Sequence, residues 1–193
     1  MKVYLIRHAQ SEENVLDMTV RSTIQDFNEL VRRSYESPLT KEGEIQTRIV
    51  VEKLTGARIE RLYSSPFVRT LSTATAIGEA LGLTPQLLDD LREVLPRPMR
   101  ERRREAPLKR LFVRGYVEML WPWGDSETWM ESYRRAKSAW HEITREPACE
   151  IAVVSHRGLI SLILLYLTWH RDWRVITSDI SNGGVSIITR RKP

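Results

Sequence analysis

Three apolar stretches of this chain end in residues able to handle an anion. "VYLIRHAQ" runs straight into Arg7 and His8, "LYSSPFVRT" into Ser64, Ser65 and then Arg69, and "IAVVSHRG" into His156 and Arg157. Brought together, they would set two histidines and two or three arginines around one cavity. Such a set suits a phosphoryl group. Arginine presents a planar fork of donors that matches phosphate oxygens and keeps its charge at any working pH. Histidine, whose ordinary pKa is about 6.5, serves near neutrality as an unprotonated nucleophile, and nearby cations favour that neutral form. A second histidine, protonated, would stabilise the phosphoryl oxygens in transfer.

An α/β fold would bring the three stretches together. Short apolar runs alternate with helical patterns, which argues for a three-layer sandwich: a mostly parallel central sheet with helices on both faces. The strand carboxyl ends of such a sheet form the ligand crevice. Strands are expected at Lys2–Ile6, Ile59–Tyr63, Ile151–Ser155 (apolar throughout, as at a sheet centre) and Val185–Thr189, after the turn signal "SNGG". Thr40 is expected to cap a helix bearing Ile45, Ile49, Val50 and Leu54 at helical spacing, with Gly56 as its stop. Ser65 is expected to cap the next, with Pro66 at its first position and Gly82 just past its end. Further helices are expected over Glu127–Thr144 and Gly158–Trp169, and Val15–Tyr35 reads as helical without firm ends. No repeat, low-complexity tract or Gly/Ser linker marks a boundary. Residues 1–193 are therefore expected to form a single domain, with a basic, Trp-containing insert around 94–130.

"RHAQSEEN" resembles the R-H-G-x-T-x-x-N signature of the histidine phosphatase superfamily, which also contains the cofactor-dependent phosphoglycerate mutases. "YSSPFVRTLSTA" resembles that family's S-x-x-x-R-x-x-x-T-A segment and "VVSHRGLI" its V-x-H-G-x-x-I segment, in the expected order. The resemblance implies a phosphoglycerate mutase-like fold. It makes His8 the nucleophile that becomes phosphohistidine, with Arg7, Arg69 and His156 forming the phosphate pocket. Asn14 matches the family's polar phosphate contact, and Ser11 falls where threonine is usual. The family's acid/base carboxylate follows a leucine two residues earlier, and here "LREV" supplies Leu91 and Glu93. As general acid, Glu93 would protonate the leaving alkoxide, then take a proton from the water that attacks phosphohistidine.

The sequence departs from the family pattern at further places. Ala9 replaces the glycine after the nucleophile, which would be strained if that position requires positive φ. Arg157 stands where glycine is frequent; its backbone N–H still suits the phosphate, while its side chain either adds charge or leans away. After Glu93 the usual Gly- and acid-rich stretch gives way to the insert, which by resemblance lies above the crevice and sets substrate choice. Within it Trp121, Trp123 and Trp129 either form a lid or anchor a loop. "GDSETWMESYRR" resembles the family's G-E-S helix entry, with Asp125 in place of glutamate.

The segment Arg97–Arg114 carries eight basic residues against two acidic ones, more than the whole chain's net charge of +5. That pattern fits a local basic wall beside an anionic ligand, or a solvated helix face with Arg–Glu pairs, and argues against a global pull toward nucleic acid. Cys149, the single cysteine, has no disulfide partner or zinc-site neighbours and is expected to be a small buried filler beside Ile151–Ser155. His141 and His170 lie outside the motifs and are expected to serve packing or the surface. No apolar run approaches the roughly 20 residues that cross a bilayer, and Arg7 and His8 cut the N-terminal run too early for a signal peptide. A cytoplasmic location without membrane contact is expected.

The leading expectation is a phosphomonoesterase that hydrolyses a small phosphorylated metabolite, a small-molecule phosphate ester, with no metal or other cofactor. Two alternatives stay open. One is a phosphoglycerate mutase, against which the chain's end just past the last strand weighs. The other is a catalytically weak module that binds a phospho-ligand or nucleic acid. Oligomeric state is left unread.

Overall fold

The computed structural model describes residues 1–100, 105–122 and 126–191. Alternation along the first strand, β1 (Lys2–Arg7), sets the layers. Val3 and Leu5 point to one face of the sheet, and Tyr4 and Ile6 to the other. After β1 the chain makes a short 3-10 turn (Glu12–Val15), β2 (Arg21–Ser22), α1 (Ile24–Arg33), α2 (Lys41–Lys53), β3 (Ile59–Ser64), α3 (Val68–Leu81) and β4 (Gln86–Leu87). A 3-10 turn (Asp89–Leu91), β5 (Ala106–Pro107), α4 (Leu108–Glu118) and α5 (Trp129–Arg145) follow. The chain then forms β6 (Glu150–Ser155), α6 (Arg157–Thr168), β7 (Trp173–Thr177) and β8 (Val185–Arg190).

The main sheet has six strands in the order β4-β3-β6-β1-β8-β7. The first four are parallel, while β8 runs antiparallel to β1, and β7 antiparallel to β8. Helices α5 and α6 cover one face through Trp140, Ile143, Leu159 and Ile163, and α2 and α3 cover the other through Val50, Leu54, Ala74 and Ile77. This is the three-layer α/β sandwich expected. Fully burying each such leucine, isoleucine or valine is worth about 1.5–3 kcal/mol. A third cluster, Ile24, Phe27, Val31, Met99, Leu108 and Leu111, joins α1 to α4.

Several expected boundaries shift. The 15–35 region is the 3-10 turn, β2 and α1 rather than one helix. Val50 and Leu54 are buried as expected, but Ile45 and Ile49 are exposed, and Gly43 and Thr47 complete the buried face of α2. A Cβ on Gly43 would lie 2.1 Å from the Gln10 carbonyl oxygen, so glycine is what lets α2 approach the loop after His8. Thr40 caps α2 as expected, accepting from the Gly43 N–H at 3.0 Å. Gly82 ends α3 at φ 69°, in the left-handed region expected of a glycine stop. Ser65 does not cap α3, which starts at Val68 after Phe67. Its N–H donates to the Val154 carbonyl at 3.1 Å, so the residue still belongs to the sheet edge. Cys149 is exposed, because only from Ile151 onward does the chain enter the core.

Candidate active site

The parallel register puts three strand ends at one level: Arg7 pairs with Ser155, and Ile6 and Ser64 both pair with Val154. His8 follows β1 directly, its N–H donating to the Ser155 carbonyl at 2.9 Å. The ring is buried, with Nδ1 2.7 Å from the Ala9 carbonyl oxygen. A carbonyl only accepts, so Nδ1 carries the proton and Nε2 keeps its lone pair. That lone pair accepts from Arg69 Nε–H at 3.2 Å. Burial first, then the Arg69 and Arg7 charges, hold the imidazole pKa well below its usual 6.5 against the opposing pull of the Ala9 carbonyl.

Arg69 stands on the first turn of α3. Its Nη1 donates to the Ser34 carbonyl and lies 3.2 Å from Glu13 Oε2, and Ser34 Oγ donates to the same carboxylate oxygen at 2.6 Å. Glu13 therefore fixes the guanidinium so that Nε faces His8. Neither Glu13 nor Ser34 stood out in the sequence. Glu13 is a variable position in the "RHAQSEEN" pattern, and Ser34 reaches the site through the turn after α1.

His156 precedes α6 and is fully buried. Its Nε2 is 2.9 Å from Ser65 Oγ, and its ring meets His8 edge-on at 5.2 Å. Burial, then the Arg69 and His8 charges, hold this ring well below 6.5 as well. Burial and the arginines thus oppose the protonated second histidine expected from the sequence, and a bound phosphoryl dianion would favour it. The buried side-chain atoms without a hydrogen-bond partner among the described residues include two in this site, His156 Nδ1 and Arg7 Nε. An orphan of this kind costs about 1–3 kcal/mol, which a ligand oxygen on Arg7 would relieve.

Glu93 follows the 3-10 turn Asp89–Leu91. Its Oε1 accepts from Val94 N–H at 2.8 Å and Gly158 N–H at 3.1 Å. A Cβ on residue 158 would sit 2.5 Å from that oxygen, so the glycine lets the carboxyl lie where it does. Burial pushes the carboxyl pKa upward, outweighing the Val94 N–H and the Arg69 and Arg7 charges. Arg135 holds this loop: its Nη1 donates to the Asp90 and Arg92 carbonyls, its Nη2 to that of Glu93, and it grips Glu127 at 2.7 and 2.8 Å. Its position on α5, eight residues after Glu127, was the available sequence signal.

Arg7, His8, Asn14, Arg69, Glu93 and Arg157 line one cavity of about 560 Å³. Arg7 Nη1 donates to the Ile180 carbonyl at 3.0 Å. Asn14 Oδ1 accepts from Ser11 N–H at 3.1 Å and from Asn182 Nδ2 at 2.7 Å, which leaves its own amide N–H groups for a ligand. Ser11 is fully buried and does not line the cavity; it orients Asn14. Ala9 is unstrained, because no described non-glycine residue has positive φ, and its N–H donates to Thr73 Oγ1 at 3.2 Å. His141 and His170 sit elsewhere, both bonded to Tyr166.

The insert does border the cavity, through Val94, Leu95, Pro96, Phe112, Tyr116 and Trp129. Its described cations do not. Lys109 and Arg110 are exposed, Arg114 pairs with Glu118, and Arg97 donates to the Trp121 and Ser126 carbonyls. Arg102, Arg103, Arg104, Trp123 and Asp125 lie outside the described residues. Trp121 is exposed, whereas Trp129 both anchors the loop, donating to the Tyr116 carbonyl at 2.9 Å, and lines the cavity. No described helix is long and apolar enough to cross a membrane.

Known proteins resemble this chain in sequence and fold. A Hydrogenobacter thermophilus protein assigned as phosphoserine phosphatase 2 is 25% identical over 194 residues, taking in 97% of this chain and 88% of that one. A Photorhabdus laumondii protein assigned as phosphoglycerate mutase GpmB is 31% identical over 94 residues, but that match takes in 49% of this chain and 38% of that one. Bacillus stearothermophilus YhfR has the same fold, with a TM-score of 0.69 at 18% identity over 96% of this chain and 89% of its own. The sequence model of one family matches residues 3–192, nearly the whole chain, and with the two histidines, the arginines and the carboxylate at the strand ends it places the protein in the histidine phosphatase superfamily, branch 1.

Proposed function

We propose that the protein is a phosphomonoesterase that works through a phosphohistidine on His8. The observation that carries this reading is the state of His8: Nδ1 is protonated against the Ala9 carbonyl and Nε2 is unprotonated, accepting from Arg69 Nε–H at 3.2 Å, a donor that a phosphoryl oxygen would take over, with a buried carboxyl in the same cavity. Arg7, Arg69 and the Asn14 amide bind the phosphoryl oxygens, and Arg157 adds charge at the mouth. Nε2 attacks phosphorus in line and the P–O bond to the alcohol breaks. Glu93, protonated through burial, gives its proton to the leaving alkoxide. The resulting carboxylate takes a proton from water, whose oxygen attacks the phosphohistidine; phosphate leaves and His8 and Glu93 are restored. The arginines supply the electrostatic stabilisation, so no step calls for a metal.

The mutase reading, favoured by the Photorhabdus relative, uses the same residues and differs only in returning the phosphoryl group to an acceptor alcohol. Phosphate release from a panel of phosphorylated metabolites, with EDTA present, tests the proposal. Native protein should release phosphate, and His8→Ala should lose on the order of a thousandfold or more in kcat. Equal rates for the two would remove His8 from the mechanism, and interconversion of phosphoglycerates faster than phosphate release would make it a mutase.

A further inference from the structure

Resting on that phosphatase reading, the far walls of the cavity bear on the alcohol half of the ester. Phe112 and Tyr116 project from α4 into the cavity, joined by Trp129 at the start of α5. Tyr116 and Trp129 are stacked at 5.8 Å and 30°, and Phe112 stands at 89° on Phe27, 5.1 Å away. The two polar groups of this wall are already engaged. Tyr116 OH donates to the Val94 carbonyl at 3.3 Å, and Trp129 Nε1–H donates to the Tyr116 carbonyl. The wall is therefore a braced apolar platform with no donor to spare for an anion, and Leu95, Pro96 and Leu162 extend it.

Charge around the cavity points the same way. Among its described lining residues, Arg7 and Arg69 are committed to the phosphoryl group and Glu93 acts as a neutral acid, so Glu13 is the one fixed negative charge. Glu13 holds Arg69 at 3.2 Å, so a second acid group near the phosphoryl end would meet a fixed negative charge. Arg157, the remaining cation, is exposed at the mouth, where water and salt screen it. We infer that the substrate is the phosphate monoester of an uncharged alcohol carrying a flat apolar group, seated on Phe112, Tyr116 and Trp129, and that Glu13 disfavours esters with a second acid group. Selection would thus combine an attractive wall with a repulsive charge.

The test compares 2-phenylethyl phosphate with 3-phosphoglycerate, both esters of alkyl alcohols, so that chemical reactivity does not decide the result. Native protein should show kcat/KM at least tenfold higher for the phenylethyl ester. Phe112→Ala should lower the ratio of kcat/KM for 2-phenylethyl phosphate to that for ethyl phosphate by about tenfold. Glu13→Gln should raise kcat/KM for 3-phosphoglycerate relative to the phenylethyl ester. An equal or higher kcat/KM of the native protein for 3-phosphoglycerate overturns the substrate inference and leaves hydrolysis standing. No phosphate release from any of the three esters, or His8→Ala as active as the native protein, overturns the phosphatase reading itself. The native comparison stands whether or not a variant folds.

Discussion

A histidine accepts a phosphoryl group only when its bare nitrogen, not its N–H, faces phosphorus, and at His8 the Ala9 carbonyl settles that choice. The glycine usual at residue 9 is thus not required for the contact, since a backbone carbonyl makes it. In the proposed mechanism Glu93 supplies the complementary acid. Because burial raises its pKa above the ordinary 4.5, it stays protonated to higher pH than an exposed carboxyl, and activity on alkyl esters should fall as pH rises through that raised value. His8, held well below 6.5, stays neutral into mildly acidic solution, which places the acid limb of the profile low. Glu93→Gln should therefore slow an alkyl phosphate on the order of a hundredfold or more, yet slow p-nitrophenyl phosphate, whose leaving group needs no proton, far less. A uniform loss in steady-state assays of the two esters would assign the proton to another group.

At the scale of elements, β1, β3 and β6 aim the site, and their parallel register was legible because apolar runs ended in Arg7–His8, Ser64–Ser65 and His156–Arg157. The hairpin β7–β8 was half legible. β8 buries Ser186 and Ile188 against β1, while β7 at the sheet edge exposes Val175 and Ile176, so its pattern carries no core face to read. The start of α3 was misplaced because Ser65 and Pro66 are a common opening of a helix, yet here Ser65 remains bonded to β6 and its hydroxyl serves His156. One contact between elements is tight enough to test. Gly158 in α6 packs on the Glu93 carboxylate, so Gly158→Ala must displace it. The variant should mimic Glu93→Gln in its leaving-group dependence while keeping most of its thermal stability, because alanine favours a helix by about 1 kcal/mol over glycine. Unchanged rates on alkyl esters would show that Glu93 tolerates the shift.

For the molecule as a whole, the site is held at a cost in stability that depends on pH. Unfolded, His8 and His156 take up protons near 6.5, whereas folded they resist, so stability present above that value is lost as pH falls below it. Glu93 contributes with the opposite sign, one group against two. Calorimetry should accordingly show Tm falling between pH 7 and pH 5, with a shallower fall in His8→Asn; an identical slope would mean that other groups govern it. What the sequence determined was the family and the order of its motifs along the chain: His8, Arg69 and His156 come after apolar strand runs, and Glu93 comes two residues after Leu91, patterns written in nearby residues. Only the tertiary structure decided the Arg69–Glu13–Ser34 network, the burial that lowers the His156 pKa, the relaxed backbone at Ala9 and the aromatic wall among the described residues. Those properties depend on distance, burial and orientation between residues far apart in the chain, which no local pattern encodes.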